Sequence, residues 1–247
     1  MTATTTSGHI SADERERFLD NGYIVLKQVA TDEDLQTFRG IYDKLFEDAA
    51  ASGTTKALGG IDEQGRQKLP QVLGPHRDVP EILDMPYMKR LDLIAKDVFG
   101  PEAEFKSTHA ILKPAGYGIA TPWHQDQAYG DPSMHYRNIN FWLPLDGATV
   151  EGGCMQYVRH SHRGPMMPHE YLEPSNKQTA LVASDQDYWS ANADAGPCEP
   201  GDVALHHSYC MHYAGPNRSD IARRAFIAVF HAPPTPLKRP WVLPWQQ

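Results

Sequence analysis

Residues 205–217 read Leu-His-His-Ser-Tyr-Cys-Met-His-Tyr-Ala-Gly-Pro-Asn. The run begins as a strand and stops at the turn formers Gly215-Pro216-Asn217, and a second strand-like run covers 224–231. Short apolar runs bounded by Gly, Pro and Asn read as paired strands. If the turn is a hairpin centred on residues 217 and 218, His212 lies opposite Arg223 on one face of the sheet. Arg224 then lies opposite Met211 on the other face, and a slip of one residue would reverse the two. Working outward, residues 105–113, 138–145, 154–158 and 203–209 have the same texture of short strands separated by Gly, Pro, Asn and Asp. That spacing predicts a mainly β protein, a sandwich or barrel with helices packed outside it.

The first hundred residues read differently. Ser11 with Glu14 is a capping box that opens a helix to Asp20, which Asn21-Gly22 ends. Residues 23–29 read as a strand. Thr31 with Asp34 opens a second helix whose Leu35, Phe38, Ile41, Tyr42, Leu45 and Phe46 share one face. A third helix is expected over about 86–99, stopped by Gly100-Pro101. No linker-like composition marks the change near residue 101. The expectation is therefore one domain over 1–247, with a helical front at about 10–100 and a β core at about 101–232.

Composition narrows the partners. Thirty-one acidic residues against 23 basic ones give a net charge of −8, and no Lys/Arg-rich stretch interrupts that balance. Nucleic acid is therefore not expected. Three cysteines, without C-x-x-C spacing, exclude a disulfide scaffold or a Cys₄ metal site and suit a reducing compartment. The start MTATTTSGHI lacks the features of a signal peptide. The run 225–230 is far shorter than the roughly 18 residues of a membrane span. A cytoplasmic protein acting on a small molecule is expected, with no membrane partner and no signal of oligomeric state.

H-x-D occurs twice, as His76-Arg77-Asp78 and His124-Gln125-Asp126, and chance alone supplies about one such pair in a chain of this composition. His76 sits in Gly-Pro-His-Arg-Asp-Val-Pro before a helix and reads as a turn capped by its Asp. His124 and Asp126 lie in the β region, where residues i and i+2 of a strand share a face. A facial triad needs one more ligand and leaves open coordination positions. The best candidate for it lies in residues 205–217, where a histidine and an arginine, His212 and Arg223, can converge on one pocket from neighbouring strands.

In these residues the chain resembles the phytanoyl-CoA dioxygenase family of Fe(II)/2-oxoglutarate oxygenases. The resemblance rests on Pro122-Trp123-His124-Gln125-Asp126, on Trp142-Leu143-Pro144-Leu145-Asp146, on Glu151-Gly152-Gly153-Cys154 and on Ser161-His162-Arg163-Gly164. It continues through Pro200-Gly201-Asp202-Val203 and His212-Tyr213-Ala214-Gly215-Pro216-Asn217 with Arg223. It implies a double-stranded β-helix of jelly-roll or cupin type, with Fe(II) held by His124, Asp126 and His212. It also implies Arg223 on the distal carboxylate of 2-oxoglutarate and Trp142 lining that pocket, with Gln71 or Lys68 as a further polar contact. O₂ is the second co-substrate.

Two departures from the family stand out. Arg159-His160-Ser161-His162 replaces the usual Pro-Gly-Ser-His, which makes His160 a candidate substrate contact. Tyr213-Ala214 replaces Gly-Ser after the distal histidine, removing a hydroxyl from the co-substrate site. Tyr129 is a further candidate for the substrate cavity; Trp123, Tyr136, Tyr188 and Trp189 read first as core, as do His206 and His207. The expected activity is oxidation of a C–H bond in a small metabolite, a biosynthetic intermediate, by hydroxylation or by a related cyclisation, desaturation or epimerisation. The rival readings are a non-catalytic metal-binding β-barrel and a zinc hydrolase on the same ligands, and neither gives Arg223 a role. The acidic balance weighs against a CoA ester as substrate.

Overall fold

The computed structural model describes residues 8–52, 56–57, 60–177 and 179–246. Its helices start where the caps predict. Ahead of α1 (Ala12–Asn21), the Ser11 hydroxyl accepts from the Glu14 N–H and the Glu14 carboxylate accepts from the Ser11 N–H. Strand β1 (Tyr23–Leu26) follows. It stops short of residue 29 because Gln28 takes φ 52° and gives its N–H to Asp202 Oδ1. Thr31 and Asp34 form a second reciprocal cap on α2 (Asp32–Ser52). Strands β2 (Lys56–Ala57) and β3 (Pro70–Leu73) lead to α3 (Pro86–Phe99), which buries Leu91, Ile94, Ala95 and Val98 as expected.

The β region holds β4 (Glu104–Lys113), β5 (Thr121–His124), β6 (Met134–Pro144), β7 (Met155–Tyr157), β8 (His169–Tyr171) and β9 (Leu181–Ala183). After the short α4 (Gln186–Ala191) come β10 (Asp194–Gly196), β11 (Val203–His207), β12 (His212–Ala214) and β13 (Arg223–Pro236). A large sheet has the order β1-β11-β6-β13-β4-β3-β2, a small one has β10-β7-β12-β5, and β8 pairs with β9. Every pairing between these strands is antiparallel.

Strand alternation divides the large sheet into two faces. Phe141, Leu143, Leu205, Phe226, Ala228 and Phe230 pack outward under α1, α2 and α3. Trp142, Ala204, Ala225, Ile227 and Val229 point inward against Met155 and Tyr157 of the small sheet. The result is the expected double-stranded β-helix, with helices covering one side only. Among the described residues no helix is long and apolar enough to cross a membrane.

The connection after Asn217 is not the hairpin that the turn residues suggest. β12 pairs with β5 and β7, whereas β13 pairs with β4 and β6, so residues 215–222 cross from the small sheet to the large one. Asn217 organises this crossover. Its amide donates to the Lys113 and Ile221 carbonyls, its Oδ1 accepts from the Ser219 N–H, and its own N–H donates to the Gly118 carbonyl. Arg223 nevertheless faces inward, because its partner across the ladder is Lys113. Arg224 faces outward and pairs with Asp146 and Asp43.

Gly153 fixes the crossover from the other side. It sits at φ 76°, and a Cβ there would land on the Gly215 carbonyl oxygen, with the Pro216 oxygen next to it. Left-handed strain and backbone overlap together should make Gly153→Ala cost about 2–4 kcal/mol. Chemical denaturation measures this, and an unchanged midpoint would remove Gly153 from the argument.

Candidate active site

His124 ends β5 and His212 opens β12, and the ladder places the two directly opposite each other with ring centroids 4.1 Å apart. Each ring is oriented by its own chain. His124 Nδ1 lies 2.8 Å from the Pro122 carbonyl and His212 Nδ1 lies 2.9 Å from the Cys210 carbonyl. A carbonyl can only accept, so both Nδ1 atoms carry the proton and both Nε2 atoms keep a lone pair. Burial drives the His212 pKa well below its usual value and keeps the ring neutral.

Asp126 does not reach them by strand alternation, as H-x-D on a strand predicts, because β5 stops at His124. A 3-10 turn, Asp126–Tyr129, swings the carboxylate back. Its Oδ1 lies 3.4 Å from His124 Nε2 and 3.6 Å from His212 Nε2. Its Oδ2 accepts from Asn140 Nδ2 at 2.8 Å and lies 3.3 Å from His206 Nε2. His206 is thus a support for the carboxylate, with Tyr157 OH at 3.4 Å from its other nitrogen. Two imidazole lone pairs facing one carboxylate oxygen repel each other unless a cation lies between them. The donor atoms of His124, Asp126 and His212 all lie within 4.8 Å of one another, an N₂O set that suits Fe(II).

Arg223 is 4% exposed, and its Nε and Nη1 have no hydrogen-bond partner. The guanidinium lies 5.2 Å from the Trp142 ring, and no carboxylate of the described residues pairs with it. Burial pulls its pKa down to about 10, which leaves it charged at neutral pH. A buried, partnerless guanidinium is costly unless an anion completes it. Gln71, 5% exposed, stands on the same inner face, since β3 pairs Gln71 with Ile111 of β4. Lys68 precedes that strand and is half-buried, its carbonyl accepting from Ile119.

Lys113 went unnoticed in the sequence. Fully buried beside Arg223, it donates through Nζ to the Ala214 and Gly215 carbonyls, at 2.8 and 2.5 Å. A lysine at the inward end of an apolar strand was the signal. Its charge is spent on holding the crossover behind His212.

Tyr129 stands at the open side. It is 51% exposed, its ring meets His124 edge-on at 6.2 Å, and its hydroxyl accepts from the Leu181 N–H. His160 lies at the end of α1. It occupies φ 62°, the left-handed position that the family's glycine suits, and binds the Asp20 carbonyl at the end of α1. His76 sits in the expected turn, bonded to Thr108 Oγ1. Trp123, as expected, is core, stacked on Tyr213. A cavity of about 960 Å³ is lined by His135, His207, Tyr209, Trp241 and Trp245 among others, and none of the three candidate ligands lines it.

Comparison with known proteins places the chain. Residues 18–225 match the family model described as phytanoyl-CoA dioxygenase, and the chain belongs to that family. The peroxisomal phytanoyl-CoA dioxygenase of Bos taurus is 25% identical over 236 residues, covering 92% of this chain and 70% of the relative. The crystal structure of EvdO2 from Micromonospora carbonacea var. aurantiaca, complexed with 2-oxoglutarate, is 36% identical. It superposes with a TM-score of 0.84 over 99% of both chains. The carbocyclase SnoK from nogalamycin biosynthesis shares the fold, with a TM-score of 0.72 at 20% identity over 94% of this chain and 87% of its own. The protein is therefore an Fe(II)/2-oxoglutarate-dependent dioxygenase, an oxidoreductase that uses O₂ and takes a small-molecule substrate.

The residue between the two proximal ligands has its own support. The Gln125 N–H donates to His169 Nε2 at 3.1 Å, while His169 Nδ1 binds the Met167 carbonyl at 2.7 Å. Both nitrogens of a neutral imidazole are thus used, and burial lowers the His169 pKa to about 4. Because the folded value lies below that of the free ring, this contribution is intact above about pH 6.5 and is lost as pH falls towards 4. At pH 4 the loss should reach about 3 kcal/mol from His169 alone. Denaturation midpoints between pH 7 and 4.5 should fall steeply in the parent and less steeply in His169→Gln; parallel curves would refute the assignment.

Proposed function

We propose that His124, Asp126 and His212 hold Fe(II) on one face, leaving the remaining positions for co-substrates. Arg223 binds the distal carboxylate of 2-oxoglutarate, Trp142 walls that pocket, and Gln71 supplies a polar contact, with Lys68 at its rim. Tyr129 stands beside the substrate. The iron and 2-oxoglutarate, when bound, supply with O₂ the oxidising chemistry that removes hydrogen from a C–H bond, with succinate and CO₂ as co-products. The chain itself orients and shields. Pro122 and Cys210 hold the two rings, Asn140 and His206 fix the carboxylate, and Arg223 offers a fixed positive fork in a dry wall.

The observation that carries this reading is the buried Arg223 guanidinium with two unsatisfied nitrogens. A metal site alone, or a zinc hydrolase, needs no such clamp. The substrate is a small metabolite, a biosynthetic intermediate, oxidised by hydroxylation or by a related cyclisation, desaturation or epimerisation. Retention of Asp126 argues against halogenation, which needs an iron position freed of the carboxylate. The net charge of −8 argues against a CoA ester. We read the chain as one dioxygenase domain in the cytoplasm, where its three free, buried cysteines remain reduced.

Anaerobic titration with Fe(II) and 2-oxoglutarate should produce a visible charge-transfer band, and its absence in well-loaded protein would overturn the proposal. Asp126→Ala and His212→Ala should abolish both the band and succinate formation. Arg223→Gln should raise the apparent requirement for 2-oxoglutarate about tenfold or more, as loss of a charged hydrogen-bond pair does, with little change in iron affinity. Arg224→Gln should leave that requirement alone, since its guanidinium is engaged outside the sandwich.

A further inference from the structure

Beyond the triad, on the side of Asp126 away from Arg223, the inner face of the large sheet turns polar. Asn138 lies two residues before Asn140 on β6 and shares its face; it is 8% exposed, and its Oδ1 has no partner. His231 of β13 is paired directly opposite, its Nδ1 also without a partner and its Nε2 3.4 Å from Glu104. Gln127, in the turn that carries Asp126, is 2% exposed and satisfies neither its amide oxygen nor its amide nitrogen.

A β-bulge adds a cation. The β4–β13 register pairs Val229 with Ser107 and Phe230 with Phe105, which leaves Lys106 as the extra residue. A bulge re-aims the side chain it carries. Here it lays the exposed Lys106 side chain against Tyr136, with Nζ 4.4 Å from the centre of the ring. Tyr136 and the Gln127 amide flank Gly130, where a Cβ would sit 3.3 Å from the ring and 3.1 Å from Gln127 Nε2. Among the described residues Lys106 forms no ion pair, and the nearby charge that opposes its desolvation is Asp126. Lys106, Gln127, Asn138, Tyr136 and His231 therefore gather beside the carboxylate that Asn140 anchors.

Gln127 Oε1 and Asn138 Oδ1 are buried acceptors without a donor, Gln127 Nε2 is a buried donor without an acceptor, and the exposed Lys106 ammonium stands at their rim. An aliphatic chain would leave the buried amide atoms of Gln127 and Asn138 unpaired, at a large cost in binding. A hydroxyl group can both donate to Gln127 Oε1 or Asn138 Oδ1 and accept from Lys106. We infer that Lys106, Gln127 and Asn138 form the substrate-recognition site and that the substrate is a molecule bearing several hydroxyl groups, not an acyl chain. This rests on the dioxygenase site proposed above and names the class of compound brought to it.

The test uses the full chain loaded anaerobically with Fe(II) and 2-oxoglutarate and titrated calorimetrically. Methyl glucoside and myo-inositol serve as hydroxylated probes, octanoate and octanoyl-CoA as aliphatic ones. The hydroxylated probes should bind in preference, and Lys106→Met and Gln127→Leu should each weaken them about tenfold. Tighter binding of the aliphatic probes, or no binding of the hydroxylated ones, would overturn the assignment. Stability gives a second readout. An amide kept for a ligand is a burden in the free protein, so Gln127→Leu should raise Tm by about 2–5 °C. A fall in Tm would show that the amide serves the fold and would overturn its role in recognition. The charge-transfer band is recorded on the same samples. A parent without it refutes the iron site, whereas a parent with it and without probe selectivity refutes only the substrate class.

Discussion

Three donor atoms that repel one another converge at Asp126, and the fold around them works to prevent their separation. Each imidazole has only one way to lie, because the carbonyl two residues before it captures the Nδ1 proton. The carboxylate has only one free oxygen, because Asn140 and His206 occupy the other. These are contacts from both sheets: His124 and His212 from the small one, Asn140 and His206 from the large one. The sandwich must therefore close before the site exists, and once closed it presents the lone pairs in a fixed array.

The same constraint explains where the remaining charges lie. Arg223 and Lys113 are register partners on adjacent strands, both buried and both basic, and burial beside Arg223 pushes the Lys113 pKa well down. Two such neighbours are tolerable only because Lys113 is bonded to the crossover carbonyls, which leaves Arg223 as the group still seeking an anion. Arg224, one residue on, satisfies its guanidinium at Asp146 and Asp43 on the opposite face. Strand alternation thus separates a structural arginine from a ligand-seeking one without any change of residue type.

Much of this was legible in the sequence, and the parts that were not share a cause. The capping boxes at Ser11 and Thr31, the helix over 86–99 and the ligand set His124, Asp126 and His212 follow from local chemistry or from motif order, and they stand where expected. The hairpin after Asn217 was misread because Gly-Pro-Asn signals a turn but not which sheet the chain enters next. That choice is made by Asn217 bonding to Lys113, more than a hundred residues away in the chain. The choice of Arg223 over Arg224 survived the error because the true partner Lys113, like the supposed partner His212, is buried in the interior. The setting of His160 was hidden for a related reason: its φ of 62° and its contact with the Asp20 carbonyl depend on α1 lying beside the loop.

Lys106 shows most clearly what a pattern cannot carry. Strict alternation along β4 sends residues 107, 109, 111 and 113 inward, so an even-numbered lysine reads as solvent-facing. The register shift between Val229 and Phe230 breaks that count by one residue, and the extra residue, Lys106, lies exposed against the Tyr136 ring. Bulges belong to pairs of strands, and a single strand gives no sign of one. The inner face is consequently divided along its length. Trp142, Ala225 and Ile227 pack dry against the small sheet, and beyond Asn140 the buried groups are amides and imidazoles whose hydrogen bonds the protein does not complete. A core tolerates such groups only where something else satisfies them. The position of this polar stretch beside the anchored carboxylate makes a bound substrate the natural partner.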